Sequence, residues 1–72
     1  MKKTKKIKII LNGKSKSLQK KTSVCDLIRS LKLSTDKVAI ELNKKIINKK
    51  KIKSLYLKNK DKIEIVHFIG GG

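Results

Sequence analysis

The chain has 72 residues and a formal net charge of +16, because 20 lysines and one arginine stand against five acidic residues. A chain of this length buries only roughly 60% of its unfolded surface, so we expect one domain with a modest core rather than an enzyme with an enclosed pocket. No apolar run reaches the roughly 18 residues of a membrane-spanning helix and no signal peptide is visible, so we expect a cytoplasmic or organellar-stromal protein that binds no membrane.

The first predicted elements are two strands joined by a tight turn. Residues 1–6 are expected to form a basic, disordered lead-in. Apolar residues then alternate along segment 7–11 as in a half-buried strand. Asn12-Gly13 favours a type I′ turn, because both central positions of that turn need a positive φ. The lysine-rich segment 14–19 then predicts an edge strand, since lysines protect an edge from pairing with other chains.

A helix is predicted to start at Thr22 or Ser23. Ser23 precedes Asp26 by three residues, a spacing typical of a capping box. Apolar residues then recur at i, i+3, i+4 and i+7, which predicts one buried helix face and an end near Leu33. Cys25 lies beside this face, so we expect a small apolar side chain, and one cysteine excludes an internal disulfide or a zinc cluster.

A third strand is predicted over segment 37–42, whose mostly apolar composition indicates a central position in a sheet. Residues 43–44 form the following turn, and a short strand is expected around residues 46–47. A lysine-rich connection follows, and its end is expected to reach the core through Leu55 and Leu57. The order of the elements predicts an α+β domain with one helix packed across a small mixed sheet.

The last predicted strand, segment 62–68, has two different faces. Ile63 and Ile65 are expected to face the helix, whereas Glu64, Val66 and Phe68 lie on the other face. The alternation therefore predicts that one face of this strand is available for contact with another protein or for ordinary packing.

Groups for catalysis are scarce in the sequence. The acids are scattered, and His67 has no second histidine or cysteine near it, so neither a general acid and base pair nor a metal cluster is expected. The charge of +16 suggests a nucleic-acid ligand. One arginine and two aromatic residues are few for contacts to phosphates and bases, so we expect the lysines to be mainly solvated surface.

The glycines at positions 70–72 are the exception, since they are either a frayed tail or a reactive one. Three extended glycines span about 10 Å and can enter a channel too narrow for other residues, which would present a terminal carboxylate to a partner's active site. Reaction with ATP on that partner would convert the carboxylate into an acyl-adenylate, and a sulfur nucleophile would leave a thiocarboxylate at Gly72.

Four segments of the chain resemble the ThiS-type sulfur carriers of thiamine-thiazole synthesis, which have the ubiquitin-like β-grasp fold. These segments are IILNG (9–13), TSVCDLI (22–28), VAIELN (38–43) and DKIEIVHFIGGG (61–72). The last is the most specific, because it joins the terminal glycines to the preceding strand. The resemblance implies a β-grasp domain over residues 7–69 and a flexible glycine tail over residues 70–72.

The resemblance also implies partners. A ThiF-like enzyme would adenylate Gly72 with ATP and magnesium, a cysteine desulfurase or another persulfide donor would supply sulfur, and a ThiG-like thiazole synthase would accept it. The chain would bind no cofactor or metal itself and would be a protein co-substrate rather than an enzyme. Gly70 and Gly71 would enter the partner's channel. The apolar residues that would contact a partner are Val66, Phe68 and Ile69.

Two other functions stay open at the level of sequence. A molybdopterin-synthase-type sulfur carrier or a ubiquitin-like modifier would use the same chemistry at Gly72, so only the partner distinguishes them. A basic nucleic-acid-binding module remains a more remote alternative because of the net charge.

Overall fold

The computed structural model describes residues 5–68, which contain one α-helix and five strands. The bounds are β1 Lys6–Leu11, β2 Lys14–Gln19, α1 Val24–Ser30, β3 Val38–Leu42, β4 Lys45–Ile46 and β5 Lys62–His67. The strands form one sheet in the order β2-β1-β5-β3-β4, in which β1 and β5 are parallel and the other neighbours are antiparallel. The α+β prediction is confirmed, and the predicted bounds of β1, β3, β4 and β5 differ from the observed ones by one residue.

The hairpin of β1 and β2 forms as predicted. Asn12 and Gly13 have φ angles of 50° and 83°, the positive values that a type I′ turn needs. The register pairs Leu11 with Lys14 next to the turn and Lys6 with Gln19 at the open end. β2 is an edge strand of the sheet, as its lysines indicate.

Asn12 has a second role that its place in a turn does not reveal. Its backbone N–H donates to the Ile63 carbonyl at 2.9 Å. Its side-chain Oδ1 accepts from the Ile65 N–H at 2.8 Å, and its Nδ2 donates to the Ile65 carbonyl at 3.3 Å. The side-chain amide of Asn12 therefore pairs with the backbone of Ile65 as a further residue of β1 would, and it extends the contact between β1 and β5 past the end of β1.

The start of α1 is fixed by a complete capping box. Ser23 is the N-cap, and its Oγ accepts from the Asp26 N–H at 3.0 Å while the Asp26 carboxylate accepts from the Ser23 N–H at 3.1 Å. Of the two predicted starts, Ser23 is correct. A helix of seven residues depends on such a cap because few of its backbone groups have partners within the helix.

The end of α1 corrects the prediction, since the helix ends at Ser30 rather than near Leu33. Lys32 has a φ of 61°, the Leu33 N–H donates to the Ile28 carbonyl, and the Lys32 N–H donates to the Arg29 carbonyl. This is a Schellman motif with lysine at the left-handed position, where glycine is the usual residue. The periodicity continues past the end because Leu31 and Leu33 still pack against the core from the motif.

The core lies between α1 and the inner face of the sheet. The apolar residues with the least exposure come from β1, α1, β3 and β5, and they are Ile9, Val24, Leu27, Ile28, Val38, Ile40 and Ile63. Cys25 is buried beside them, as expected for a small apolar side chain, and Leu57 closes the core from the long connection. Leu55 packs at the margin of the core. Ile52, whose burial was not predicted from the sequence, is also buried.

We predict that Asn12→Gly lowers the free energy of unfolding by about 1–3 kcal/mol, because glycine keeps the positive φ but removes both side-chain hydrogen bonds to Ile65. Urea unfolding measures the loss. Lys44→Gly is the matched control, since it places glycine at another positive φ, of 71°, and we expect a change within about 0.5 kcal/mol. Equal losses in the two variants would show that the Asn12 amide contributes nothing.

Candidate functional site

β5 brings the chain from the centre of the sheet to the predicted tail. Its two neighbours are β1 and β3, and just after it the Phe68 N–H donates to the Lys37 carbonyl at 2.8 Å. Ile69 and the glycines at positions 70–72 lie outside the described residues. Only Ile69 therefore separates the glycines that would enter a partner from Phe68, whose backbone N–H is hydrogen-bonded to the domain.

The two faces of β5 differ as the sequence predicted. Ile63 and Ile65 are buried against the core. Val66 is 59% exposed and Phe68 is 45% exposed, although both are apolar. The structure thus places two of the three predicted contact residues on the surface beside the start of the tail.

Residues of β3 and β4 enlarge this exposed surface. Ala39 lies directly across from Val66, and Ile46 lies across from Glu41 and is 78% exposed. Together they border a shallow hollow of about 150 Å³, here called the outer-face hollow. Its lining residues are Ala39, Ile40, Glu41, Ile46, Glu64 and Val66. The sequence did not place Ala39, Glu41 or Ile46 on a common surface, because pairing across strands is set by tertiary structure.

Phe68 is held by a lysine as well as by its backbone. The Lys49 Nζ lies 5.7 Å from the centroid of the Phe68 ring, a distance typical of a cation–π contact. The same Nζ donates to the Asp36 carbonyl at 3.3 Å. Lys49 was predicted only as part of a basic connection, and in the structure its ammonium group contacts the Phe68 ring.

The titratable side chains of the described part do not gather into a metal site. His67 is exposed and is in register with Val38 at the end of the strand pair. Within residues 5–68, no three histidine, cysteine, aspartate or glutamate side chains lie close enough to hold a metal ion. No helix within the same residues has the length and apolar character needed to cross a membrane.

Comparison with known proteins gives one consistent result. The sequence model of the ThiS family matches residues 9–72. The sulfur carrier protein ThiS of Bacillus subtilis (strain 168) is 44% identical over 63 residues, which cover 86% of this chain and 96% of that protein. The crystal structure of the thiamine biosynthesis protein ThiS from Geobacter metallireducens superposes with a TM-score of 0.77 at 26% identity, covering 92% of this chain and 100% of that chain.

A second type of relative is much longer than this chain. The thiazole synthase of Magnetococcus marinus is 38% identical over 66 residues, which are 92% of this chain but 20% of that protein. This chain therefore spans only a fifth of the length of that thiazole synthase. The β-grasp prediction is confirmed by the ThiS structure, and the enzyme is similar to this chain only in one segment.

We predict that Val66→Thr changes the free energy of unfolding by no more than about 0.5 kcal/mol, because the side chain is exposed. Ile65→Thr should lower it by about 2–4 kcal/mol, because it removes buried apolar volume and buries a hydroxyl group. Both variants introduce threonine into the same strand, so urea unfolding of the pair isolates the difference between the two faces. Similar losses would contradict the assignment of Val66 to the surface.

Proposed function

The chain belongs to the ThiS family of sulfur carriers for thiamine biosynthesis, and we propose that it carries the sulfur on Gly72 as a thiocarboxylate. Family membership confirms the expectation that the chain is a carrier rather than an enzyme. The family match extends through Gly72, which supports a role for the glycine segment as well as for the domain.

The observation that carries the proposal is the position of β5. This strand is central in the sheet, it is paired on both sides, and Phe68, Ile69 and three glycines follow it in the sequence. A rigid domain with a reactive end needs only a surface that a partner can recognise and a segment that can enter the partner's active site. Glycines suit that segment because they have no Cβ and occupy the least width.

The proposed chemistry takes place on partner enzymes. On a ThiF-like enzyme, the Gly72 carboxylate attacks the α-phosphate of ATP, with magnesium balancing the phosphate charge, and pyrophosphate leaves. A persulfide, formed by a cysteine desulfurase or another donor, then attacks the acyl carbon and displaces AMP. A thiol cleaves the resulting acyl persulfide, which leaves the thiocarboxylate on Gly72 and a disulfide on the other two sulfur atoms.

A ThiG-like thiazole synthase is the proposed acceptor of the sulfur. The thiazole synthase of Magnetococcus marinus contains a segment similar to this chain, which supports a functional link between the two activities. We propose that Gly70 and Gly71 enter the partner's channel and that Val66, Phe68 and Ile69 contact the partner. The exposure of Val66 and Phe68 supports these contacts, and Ile69 lies outside the described residues.

The location and the alternative carriers remain predictions. A cytoplasmic or stromal location would give the chain access to ATP and to a persulfide donor. A molybdopterin-synthase-type carrier or a protein modifier would form the same acyl-adenylate, so the acceptor distinguishes these functions. Transfer of sulfur to a thiazole synthase favours the thiamine pathway, whereas attachment of Gly72 to lysines of other proteins would favour a modifier.

We predict that incubation with ATP, magnesium, a ThiF-like enzyme, a cysteine desulfurase and cysteine replaces one carboxylate oxygen of Gly72 by sulfur. Intact-protein mass spectrometry detects the mass change. Deletion of Gly71 and Gly72 should abolish it without changing the urea midpoint, because the deletion removes no apolar side chain. A wild-type chain that keeps its original mass under these conditions would contradict the proposal.

A further inference from the structure

The five acidic residues of the chain have different surroundings. The Asp26 carboxylate caps α1, and the Asp61 carboxylate accepts from the Lys58 N–H at 2.7 Å and from the Asn43 Nδ2 at 3.0 Å. Asp36 lies in the first turn of a short 3-10 helix. Glu41 and Glu64 are the two that face the outer-face hollow, where they lie side by side.

The pairing of Glu41 with Glu64 is unfavourable for the isolated domain. The two residues are in register across the antiparallel strands β3 and β5, where directly opposed Cβ atoms are about 4.5–5.5 Å apart. Like charges at such positions destabilise a sheet. The chain has 20 lysines, any of which would form an attractive pair with either glutamate at this position. The charges of these two residues therefore do not stabilise the pairing of β3 with β5.

Apolar side chains surround this pair on the side towards the tail and on the side of β4. Val66 follows Glu64 on the same face of β5, Ala39 lies across from Val66, and Ile46 lies across from Glu41. Lys62 borders the pair at the opposite end of β5. The outer-face hollow thus combines two carboxylates with exposed apolar surface on an otherwise strongly basic protein.

This combination matches the shape and charge of a basic side chain. Arginine has an apolar stem that packs on aliphatic side chains and a planar guanidinium group that can donate hydrogen bonds to two carboxylates. Such a side chain would remove the repulsion between Glu41 and Glu64 when it enters the hollow. A neutral or acidic side chain would leave the two carboxylates unpaired under a covering surface, which costs free energy.

We propose that the outer-face hollow binds a basic side chain, preferably arginine, of the thiazole synthase. This side chain projects from an apolar surface of that enzyme. This inference rests on the proposed function and adds the chemistry by which the partner is recognised. Continuity favours the thiazole synthase as the occupant, because a segment similar to this chain occurs within a thiazole synthase chain and the hollow lies on the strand that leads to Gly72.

The net charge of the chain explains why a local acidic site is needed for this contact. A total of +16 repels a basic partner surface at long range. At physiological ionic strength the screening length is about 8 Å, so the carboxylates nearest to the contact determine its electrostatics once the surfaces meet. Glu41 and Glu64 therefore select the orientation in which this face, rather than a lysine-rich face, meets the partner.

The test compares binding of three forms of the full chain to the cognate thiazole synthase by calorimetry at about 0.15 M salt. We expect the Glu41→Gln/Glu64→Gln variant to bind at least about tenfold more weakly than the wild type, as for removal of a buried charged contact. Asp26→Asn is the matched control for one charge. It keeps an oxygen that accepts from the Ser23 N–H, it lies on the helix side of the sheet, and it should bind as the wild type does.

The outcomes separate this inference from the proposed function. A double variant that binds as tightly as the wild type overturns the inference, and so does a wild-type chain that does not bind the synthase at all. The inference is also overturned if the double variant loses binding to the adenylating enzyme but still binds the thiazole synthase as the wild type does. It is overturned as well if the only effect of the double variant is to dissociate a dimer of this chain, as measured by sedimentation. Formation of the Gly72 thiocarboxylate is measured separately by mass, and its absence would overturn the proposed function instead.

Discussion

The contact between β1 and β5 joins the two halves of the chain, and it is short. Only two residue pairs are in parallel register, whereas β5 and β3 share five. Side chains extend the short contact at both ends: the Asn12 amide pairs with Ile65, and the Asn59 Oδ1 accepts from the Lys8 N–H at 2.8 Å. These amide groups therefore add to the few backbone pairs that hold β5 beside β1.

The sequence was sufficient for features that are encoded locally. Asn12-Gly13 determines its turn by its φ preference, Ser23 and Asp26 determine the helix start by their spacing, and alternation separates the two faces of β5. The end of α1 was not predictable, since Lys32 adopts a left-handed conformation without the glycine that normally signals it. The pairing of Asn12 with Ile65 was hidden because the two residues are 53 positions apart.

For the candidate site, too, local sequence patterns predicted some residues of the surface and not others. Alternation along segment 62–68 correctly placed Val66 and Phe68 on the surface, since a strand has a period of two. Glu41 and Ile46 join that surface only through the registers of β3 with β5 and with β4, which no local pattern contains. The proposed role of Gly72 rests on its position in the sequence and on the family resemblance, because a residue without a side chain gives no other chemical signal.

The arrangement of β5 has a mechanical consequence for a carrier whose end is handled by other proteins. A partner that draws the tail inward pulls along the axis of β5, and the hydrogen bonds to β1 and β3 lie across that axis. Such a load shears many bonds at once instead of opening them one after another. An edge strand such as β4 has bonds on one side only and would peel away more easily. A domain that carries sulfur on Gly72, as proposed, would therefore stay folded while a partner holds the chain end.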